Sequence, residues 1–146
     1  MTSRPRRLLL VTLAALIVGL LAASPAPAAD SGVEKARTEL AQSRVMLDQA
    51  LDAARAGDRD KALAIAKSAY LDHFEFAEVP LRLRNPNLTL DTEFQFANLR
   101  NDIGSGAPVS QLESDVREIR AGLISAERAL SDEAAGGRRR KRVEAL

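Results

Sequence analysis

The residues best suited to chemistry are acidic side chains that recur at a regular spacing. Asp72, Glu75 and Glu78 are three residues apart, so on an α-helix they fall within a band about 120° wide. Carboxylates in one stripe repel one another, and a bound hard cation, which prefers oxygen ligands, would relieve the repulsion. Asp91 and Glu93 follow at the start of the next predicted helix and can converge on the same place.

All five aromatic residues of the chain lie in the same region as these acids. They are Tyr70, Phe74, Phe76, Phe94 and Phe96. We expect these rings to belong to the core. His73 lies about 100° from Asp72 on a helix and does not complete the Glu-x-x-His pattern of di-iron bundles, which favours a packing role. We keep Tyr70, His73 and Asp91 as auxiliary candidates beside the acids.

An acidic repeat is also typical of a solvated helix surface. In this alternative, Arg82 and Arg84 supply the compensating positive charge one turn further on, and no metal is needed. Neither a Gly-rich phosphate cradle nor an oriented nucleophile accompanies Glu75 and Glu78. The pattern therefore indicates binding without catalysis.

The composition limits the possible sites further. The chain has 146 residues, no cysteine and a single histidine, which leaves room for one small domain. Without cysteine there is no disulfide framework, thiolate nucleophile or Cys-ligated zinc. A site that needs two imidazoles from one chain is excluded as well.

The first 28 residues have the pattern of a signal peptide. Arg4, Arg6 and Arg7 precede an uncharged apolar run at residues 8–23, and Ala26-Pro27-Ala28 fits an A-x-A cleavage site. We expect export to a periplasmic or extracellular location. An uncleaved N-terminal helix that anchors the chain is the alternative, although the run is short for a span of about 20 residues.

Removal of this leader changes the charge balance. The rest of the chain has 18 basic and 20 acidic side chains, and five of the basic ones lie at residues 138–142, beyond a glycine pair. The folded part is therefore acidic and the C-terminal tail, residues 138–146, is basic. An exported chain has little access to nucleic acid, so we expect a solvated tail, with lipid headgroups or an acidic protein surface as alternative targets.

Two segments carry, apart from Ser43, an apolar side chain every third or fourth residue, as one face of an α-helix does. The first begins at Ser31, which forms a capping box with Glu34, and ends at Gly57. The last follows Pro108. The first stripe contains Val33, Ala36, Leu40, Ser43, Leu47, Ala50 and Ala54, and the last contains Val109, Leu112, Val116, Ile119, Leu123, Ala126 and Leu130.

The two helices predicted between them each carry two apolar faces. One begins at Asp58, kinks at Pro80 and continues to Arg84; the next covers residues 88–103 and ends at Gly104. The extra faces contain Ala62, Ile65, Ala69 and Phe76 on the former, and Leu90, Phe94 and Ala97 on the latter. Two apolar faces imply two packed neighbours. Because the connections are short, the predicted fold is all-α, an antiparallel up-down four-helix bundle over residues 29–137.

Residues 69–100 also carry a family resemblance. The segment AYLDHFEFAEVPLRLR, residues 69–84, followed by EFQFANLR, residues 93–100, resembles the extracytoplasmic helical domain at the N-terminus of many prokaryotic high-affinity iron permeases. The positions that match the family pattern are Tyr70, Asp72, Phe74, Glu75, Glu78, Glu93, Phe96, Leu99 and Arg100. The chain departs from a permease because no apolar segment after residue 23 is long enough to span a bilayer and the Arg-Glu-Gly-Leu-Glu motif is absent.

The resemblance implies a stand-alone exported domain that binds or hands over iron, or docks on a membrane permease. It implies Asp72, Glu75, Glu78 and Glu93 as oxygen ligands. Ferric iron, manganese and calcium all suit such ligands, so the metal stays open. The alternative is a structural interaction module that binds a partner helix or a membrane surface and has no metal role.

Overall fold

The structure is a computed structural model, and it describes the backbone of residues 28–144 and the side chains of residues 32–132. Within these residues it is all-helical, which confirms the predicted class. The bounds are Ala28–Arg55 for α1; Arg59–Ser68, a π-helical turn Ala69–Phe74 and Glu75–Arg82 for the continuous helix α2; Pro86–Ser105 for α3; and Val109–Glu144 for α4. The predicted signal peptide lies outside the described residues except for Ala28. Every helix within residues 28–144 is too short or too polar for a membrane span.

Ion pairs define how α1 and α4 lie against each other. Arg55 at the end of α1 contacts Glu113 near the start of α4 at 2.8 Å, and Arg44 contacts Glu127 at 2.6 Å. The two helices therefore run in opposite directions. Connections of three residues join α1 to α2, α2 to α3 and α3 to α4, and these contacts are compatible with the predicted up-down arrangement.

Several predicted helix ends differ from the structure. Asp58 caps α2 as expected, because its side chain accepts a bond from the Lys61 N–H at 3.0 Å. In contrast, Ser31 lies inside α1 and is not its cap. The helix α2 does continue through Pro80, but it ends at Arg82.

The third helix begins and ends outside its predicted bounds. Asn85 caps it by accepting the Leu88 N–H at 3.1 Å. Gly104 stays within the helix, and Gly106 ends it with a φ of 81°, because a left-handed residue lets the last N–H groups turn back onto the helix carbonyls. The last helix runs through the glycine pair at 136 and 137 and ends at Glu144.

The apolar stripes of α1 and α4 form the centre of the bundle, as predicted. Their residues are buried, apart from the half-buried Val33 and Val109 at the ends. The second faces of α2 and α3 are covered only in part. Ala62 and Ala69 of α2 are fully buried and Ile65 packs against the core, whereas Phe76, Leu90 and Phe94 are exposed. The prediction of a second covered face is therefore confirmed for the first half of α2 and wrong at Phe76, Leu90 and Phe94. The prediction that all the rings are core is wrong for Phe76 and Phe94. Near the turn between α2 and α3 each helix meets the core with one stripe, so apolar side chains on the outer side meet water.

The π-helical turn is the main departure from a regular helix. It is fixed from α1, where the fully buried Ser43 donates from its hydroxyl to the Ala69 carbonyl at 2.8 Å. A π-helical turn contains more residues than an α-helical one. The side chain of Asp72 is therefore displaced from the angle that α-helical spacing predicts relative to Glu75 and Glu78.

A close contact between α3 and α4 sets the position of α3. The buried side chain of Thr92 lies against Gly122 of α4, so closely that a Cβ atom on Gly122 would be 2.9 Å from Thr92 Oγ1. The hydroxyl is held in place because it donates to the Leu88 carbonyl at 2.7 Å. Glycine at this position lets the two helices approach, and α3 in turn carries part of the candidate site.

Candidate functional site

Three rings support the region where the acids and the aromatics come together. Phe74 and Phe96 are fully buried, and their ring centroids are 5.4 Å apart. Tyr70 is half-buried and lies 5.8 Å from Phe74 and 5.5 Å from Phe96. These spacings are typical of favourable aromatic pairs. The rings therefore join α2 to α3 immediately beneath the acidic side chains.

Two of the four predicted ligands meet at one guanidinium. Nη2 of Arg82 is 3.3 Å from Glu78 Oε2 on its own helix and 2.5 Å from Glu93 Oε1 on α3. The Tyr70 hydroxyl donates to the other oxygen of Glu78 at 2.8 Å. The side chains of Glu78 and Glu93 are 14% and 23% exposed, whereas that of Arg82 is 58% exposed. The arrangement is a sheltered carboxylate pair covered by an accessible cation.

The electrostatics of this pair follow from its burial. Burial raises the pKa of Glu78, and the nearby Glu93 and Glu75 raise it further, while the Tyr70 hydroxyl and Arg82 act in the opposite direction. Burial also raises the pKa of Tyr70 to about 12, with the bond to Glu78 as the next cause. Tyr70 is therefore a hydrogen-bond donor at every physiological pH. A positive partner is favoured next to this pair, because a nearby cation lowers the free energy needed to keep both carboxylates ionised.

The other predicted site residues have separate partners or face solvent. Asp72 accepts a hydrogen bond from Ser68 one turn earlier, and the side chains of Glu75 and Asp91 are exposed. His73 is half-buried, and its Nδ1 lies 2.8 Å from Glu39 Oε2 of α1. The contact with Glu39 joins positions 34 residues apart, and no spacing in the sequence signals it.

The described residues do not present a ready-made metal centre. Among residues 32–132, no group of three or more Asp, Glu or His side chains is arranged to hold a metal ion. The part of the predicted set that does come together is the pair of Glu78 and Glu93, and Arg82 covers it. Two carboxylates completed by water suit a hard cation, but the cation would have to displace the guanidinium. The four-residue cation site stays a prediction.

Arg100 is a second cation of this region. Its guanidinium carbon lies 4.9 Å from the centroid of the Tyr70 ring, a distance typical of a cation–π contact. The family resemblance includes Arg100, but the spacing of the sequence does not predict this contact with the ring.

Large apolar side chains are exposed next to the carboxylate pair. We define the apolar face as five of these residues, which lie on the last segment of α2, in the turn after it and on α3. They are Phe76 (53% exposed), Val79 (70%), Leu83 (83%), Leu90 (65%) and Phe94 (65%). The ion pair between Arg82 and Glu93 joins the two helices that carry these residues, and Lys35 of α1 lies over the Phe76 ring at 4.6 Å. Large exposed apolar side chains that cluster on a surface mark interaction sites.

Comparisons of the chain with protein-family models, with curated proteins and with solved structures find no match. The resemblance to the extracytoplasmic domain of iron permeases therefore stays a prediction.

Proposed function

We propose that the chain is an exported, non-catalytic antiparallel up-down four-helix bundle that acts as an interaction module. In this proposal, it docks through the apolar face of α2 and α3. The observation that carries the proposal is the exposure of Phe76, Val79, Leu83, Leu90 and Phe94. Isolated exposed apolar residues are common, but several large ones on two neighbouring helices, two of them phenylalanines, favour a binding surface.

The size of the face supports docking. If a whole residue of these types has about 180 Å² of accessible surface, the exposed fractions correspond to about 600 Å². This sum is most of the roughly 800 Å² that each partner contributes to a standard interface. Polar residues around the face would supply the rest.

Site-specific photo-crosslinking in the producing cells tests this function. A photoreactive phenylalanine analogue replaces Phe94 in one variant and Val45 in the other. Val45 is an exposed apolar residue of α1, 48% accessible and outside the face, so it is a matched control. We expect a discrete adduct from position 94 and none from position 45. Equal labelling from both positions, or no adduct from either, would contradict docking through this face.

The carboxylate pair favours a second candidate function, the binding of iron or another hard cation. Glu78 and Glu93 come from different helices and already share one positive partner. A metal ion in the place of the Arg82 guanidinium would retain both carboxylates and the bond from Tyr70. In this form the protein holds or hands over the cation without turnover.

Thermal unfolding with added Mn²⁺, Ca²⁺ or ferric citrate tests this candidate. We expect a cation to raise the melting temperature, the double substitution Glu78→Gln and Glu93→Gln to abolish the rise, and Asp91→Asn, an exposed acid nearby, to leave it unchanged. Arg82→Gln should strengthen the response because it removes the competing guanidinium. A protein that shows no response, or one that responds equally without Glu78 and Glu93, has no cation site here.

A further inference from the structure

The contacts between α1 and α2 show which parts of the chain lie at the same end of the bundle. The Ser43 hydroxyl of α1 donates to the Ala69 carbonyl at 2.8 Å, and Lys35 lies over the Phe76 ring at 4.6 Å. Each step toward the start of α1 is therefore matched by a similar step toward the end of α2. In this register, the first turn of α1 lies level with the connection between α2 and α3, which contains Leu83.

The last turns of α4 reach the same end of the bundle. The ion pairs of α1 with α4 set an antiparallel register between these two helices. Arg44 contacts Glu127, and α4 continues as a helix to Glu144. The same register therefore places residues 138–142 level with the first turns of α1. We define the basic end by the three segments that meet here, which are residues 28–31, 82–88 and 138–144.

The basic end carries an excess of positive charge. Residues 138–142 are all Arg or Lys, whereas the acids of the basic end are Asp30 and Glu144. Arg82 is already paired with the two sheltered glutamates, so the excess comes from residues 138–142. At the opposite end of the bundle, where α1 meets α2 and α3 meets α4, acidic residues outnumber basic ones. Attraction to an anionic partner would therefore turn the basic end toward it.

The distribution of these five basic positions favours a planar partner. Successive residues of an α-helix are about 100° apart around its axis, so five consecutive positions surround the axis completely. A protein partner beside α4 would lie near one or two of them. A membrane surface across the end of the helix lies near all five, since they span only about 6 Å along the axis. Clusters of about four to eight basic residues on a helix are typical of segments that bind anionic lipid.

Exposed apolar side chains of α2 lie at the depth that a membrane contact requires. Phe76, Val79 and Leu83 are three and four residues apart, so they lie on one side of the helix end. Leu83 follows the last helical residue but keeps helical backbone angles, with φ −65° and ψ −22°. The exposed fraction increases toward the basic end, from 53% at Phe76 to 83% at Leu83. These two residues are about 10 Å apart along the helix, and interfacial helices bury apolar side chains about 5–10 Å deep.

We infer that the basic end docks on an anionic phospholipid bilayer. The inference rests on the proposed docking function and names its partner. Residues 138–142 lie at the level of the lipid phosphates, and Leu83 enters the boundary between headgroups and acyl chains, with Val79 behind it. The acidic end of the bundle faces the solution.

Sedimentation with lipid vesicles tests the inference. The protein purified from producing cells is mixed with vesicles of phosphatidylcholine and phosphatidylglycerol, or of phosphatidylcholine alone. We expect binding to the anionic vesicles to be at least about tenfold tighter than binding to the neutral ones. This binding should weaken with added salt, because salt screens the attraction between the basic residues and the lipid phosphates.

Matched variants locate the charged part of the contact. A basic residue near an anionic membrane changes the affinity about fivefold, so Arg139→Gln with Arg140→Gln should weaken binding about twenty-fivefold. Lys61→Gln with Lys67→Gln removes the same charge from exposed positions of α2. Those positions are more than about 20 Å from the basic end along the helix, beyond the Debye length of about 10 Å, so binding should change less than about twofold.

A second matched pair tests the apolar part of the contact. Leu83→Gln should weaken binding about tenfold, because it removes apolar surface that the lipid would cover. Val45→Gln, at an exposed apolar residue of α1 outside the face, should leave binding unchanged. Circular dichroism verifies that each variant keeps the native helix content.

Equal binding to neutral vesicles, no binding to either kind, or full binding by the double variant at Arg139 and Arg140 would overturn the inference. The crosslinking experiment separates this failure from failure of the proposed function. A lipid adduct from position 94, together with binding to anionic vesicles, supports both. A protein adduct without vesicle binding keeps the docking function and rejects the bilayer. If no adduct forms and no vesicles bind, both proposals fail.

Discussion

The close contact between Thr92 and Gly122 leads to a quantitative prediction about how α3 packs against α4. In an exposed helix, replacing glycine with alanine stabilises by about 1 kcal/mol. At Gly122, the new Cβ atom would lie 2.9 Å from Thr92 Oγ1 and 3.4 Å from Gln95 Oε1. At contacts this short, the side chain of Thr92 or Gln95, or the helix backbone, has to shift.

Displacing the side chain of Thr92 would cost free energy. Its side chain is fully buried, it is branched at Cβ and so restricted in χ1, and its hydroxyl is bonded to the Leu88 carbonyl. The strain of overpacking costs about 1–3 kcal/mol, which cancels or exceeds the gain in helix propensity. We therefore expect Gly122→Ala to be neutral or destabilising by up to about 2 kcal/mol.

Gly104→Ala is the matched control. Gly104 is also helical, and a Cβ atom there would meet nothing within 4 Å. This variant should gain up to about 1 kcal/mol. Urea unfolding followed by circular dichroism should separate the two variants by about 1–3 kcal/mol, or about 4–12 °C in melting temperature for a domain of this size.

A double-mutant cycle identifies the cause. Thr92→Ala removes the atoms that the new methyl group would meet, so Gly122→Ala should cost less in that background, with a coupling energy of about 0.5–3 kcal/mol. If Gly122→Ala stabilises as much as Gly104→Ala, or if the two substitutions are additive, then the close contact between α3 and α4 is absent. Glu93 and Phe94 would then lie elsewhere as well, because α3 carries both.

Three further predictions concern buried polar groups. Asp115 is 8% exposed, and burial is the largest cause that raises the pKa of its carboxyl group. Because the folded protein favours the protonated carboxyl, the free energy of unfolding should fall as the pH rises through the raised pKa. Asp115→Asn should remove this pH dependence and raise the melting temperature at pH 8. Ser43→Ala should cost about 1–3 kcal/mol in urea unfolding, since it removes the buried donor to the Ala69 carbonyl, and a loss below about 0.3 kcal/mol would show that the π-helical turn does not depend on it. Tyr70→Phe removes the donor to Glu78 and should cost about 1.5–3 kcal/mol at pH 8, where Glu78 is ionised, but clearly less at pH 4; an equal loss at both pH values would contradict this role of the hydroxyl.

The periodicity of α1 and α4 predicts their buried stripes correctly because it is local. Residues three and four apart lie on the same side of a helix whatever its neighbours are. Ser43 illustrates the limit of this reasoning. It is the polar member of an apolar stripe, which is a signal of a special role, but the acceptor of its hydroxyl, the Ala69 carbonyl, lies 26 residues away.

The acidic residues show why the candidate site is harder to predict than the helices. A regular three-residue spacing treats Asp72, Glu75 and Glu78 as equivalent. The π-helical turn displaces Asp72, and the position of α3 brings Glu93 to Arg82. Neither effect is contained in the local spacing, because each depends on contacts between helices.

The sequence by itself determined the helical class and the buried stripes of α1 and α4, because those properties depend on side chains within one or two turns. Only the tertiary structure decided how much of the two apolar faces of α2 and of α3 is covered, and which carboxylates share a cation. Those outcomes depend on the rotation and height of each helix against its neighbours. Four helices around one core leave the outer faces without a partner, which is why Phe76 and Phe94 meet solvent while Phe74 and Phe96 are buried.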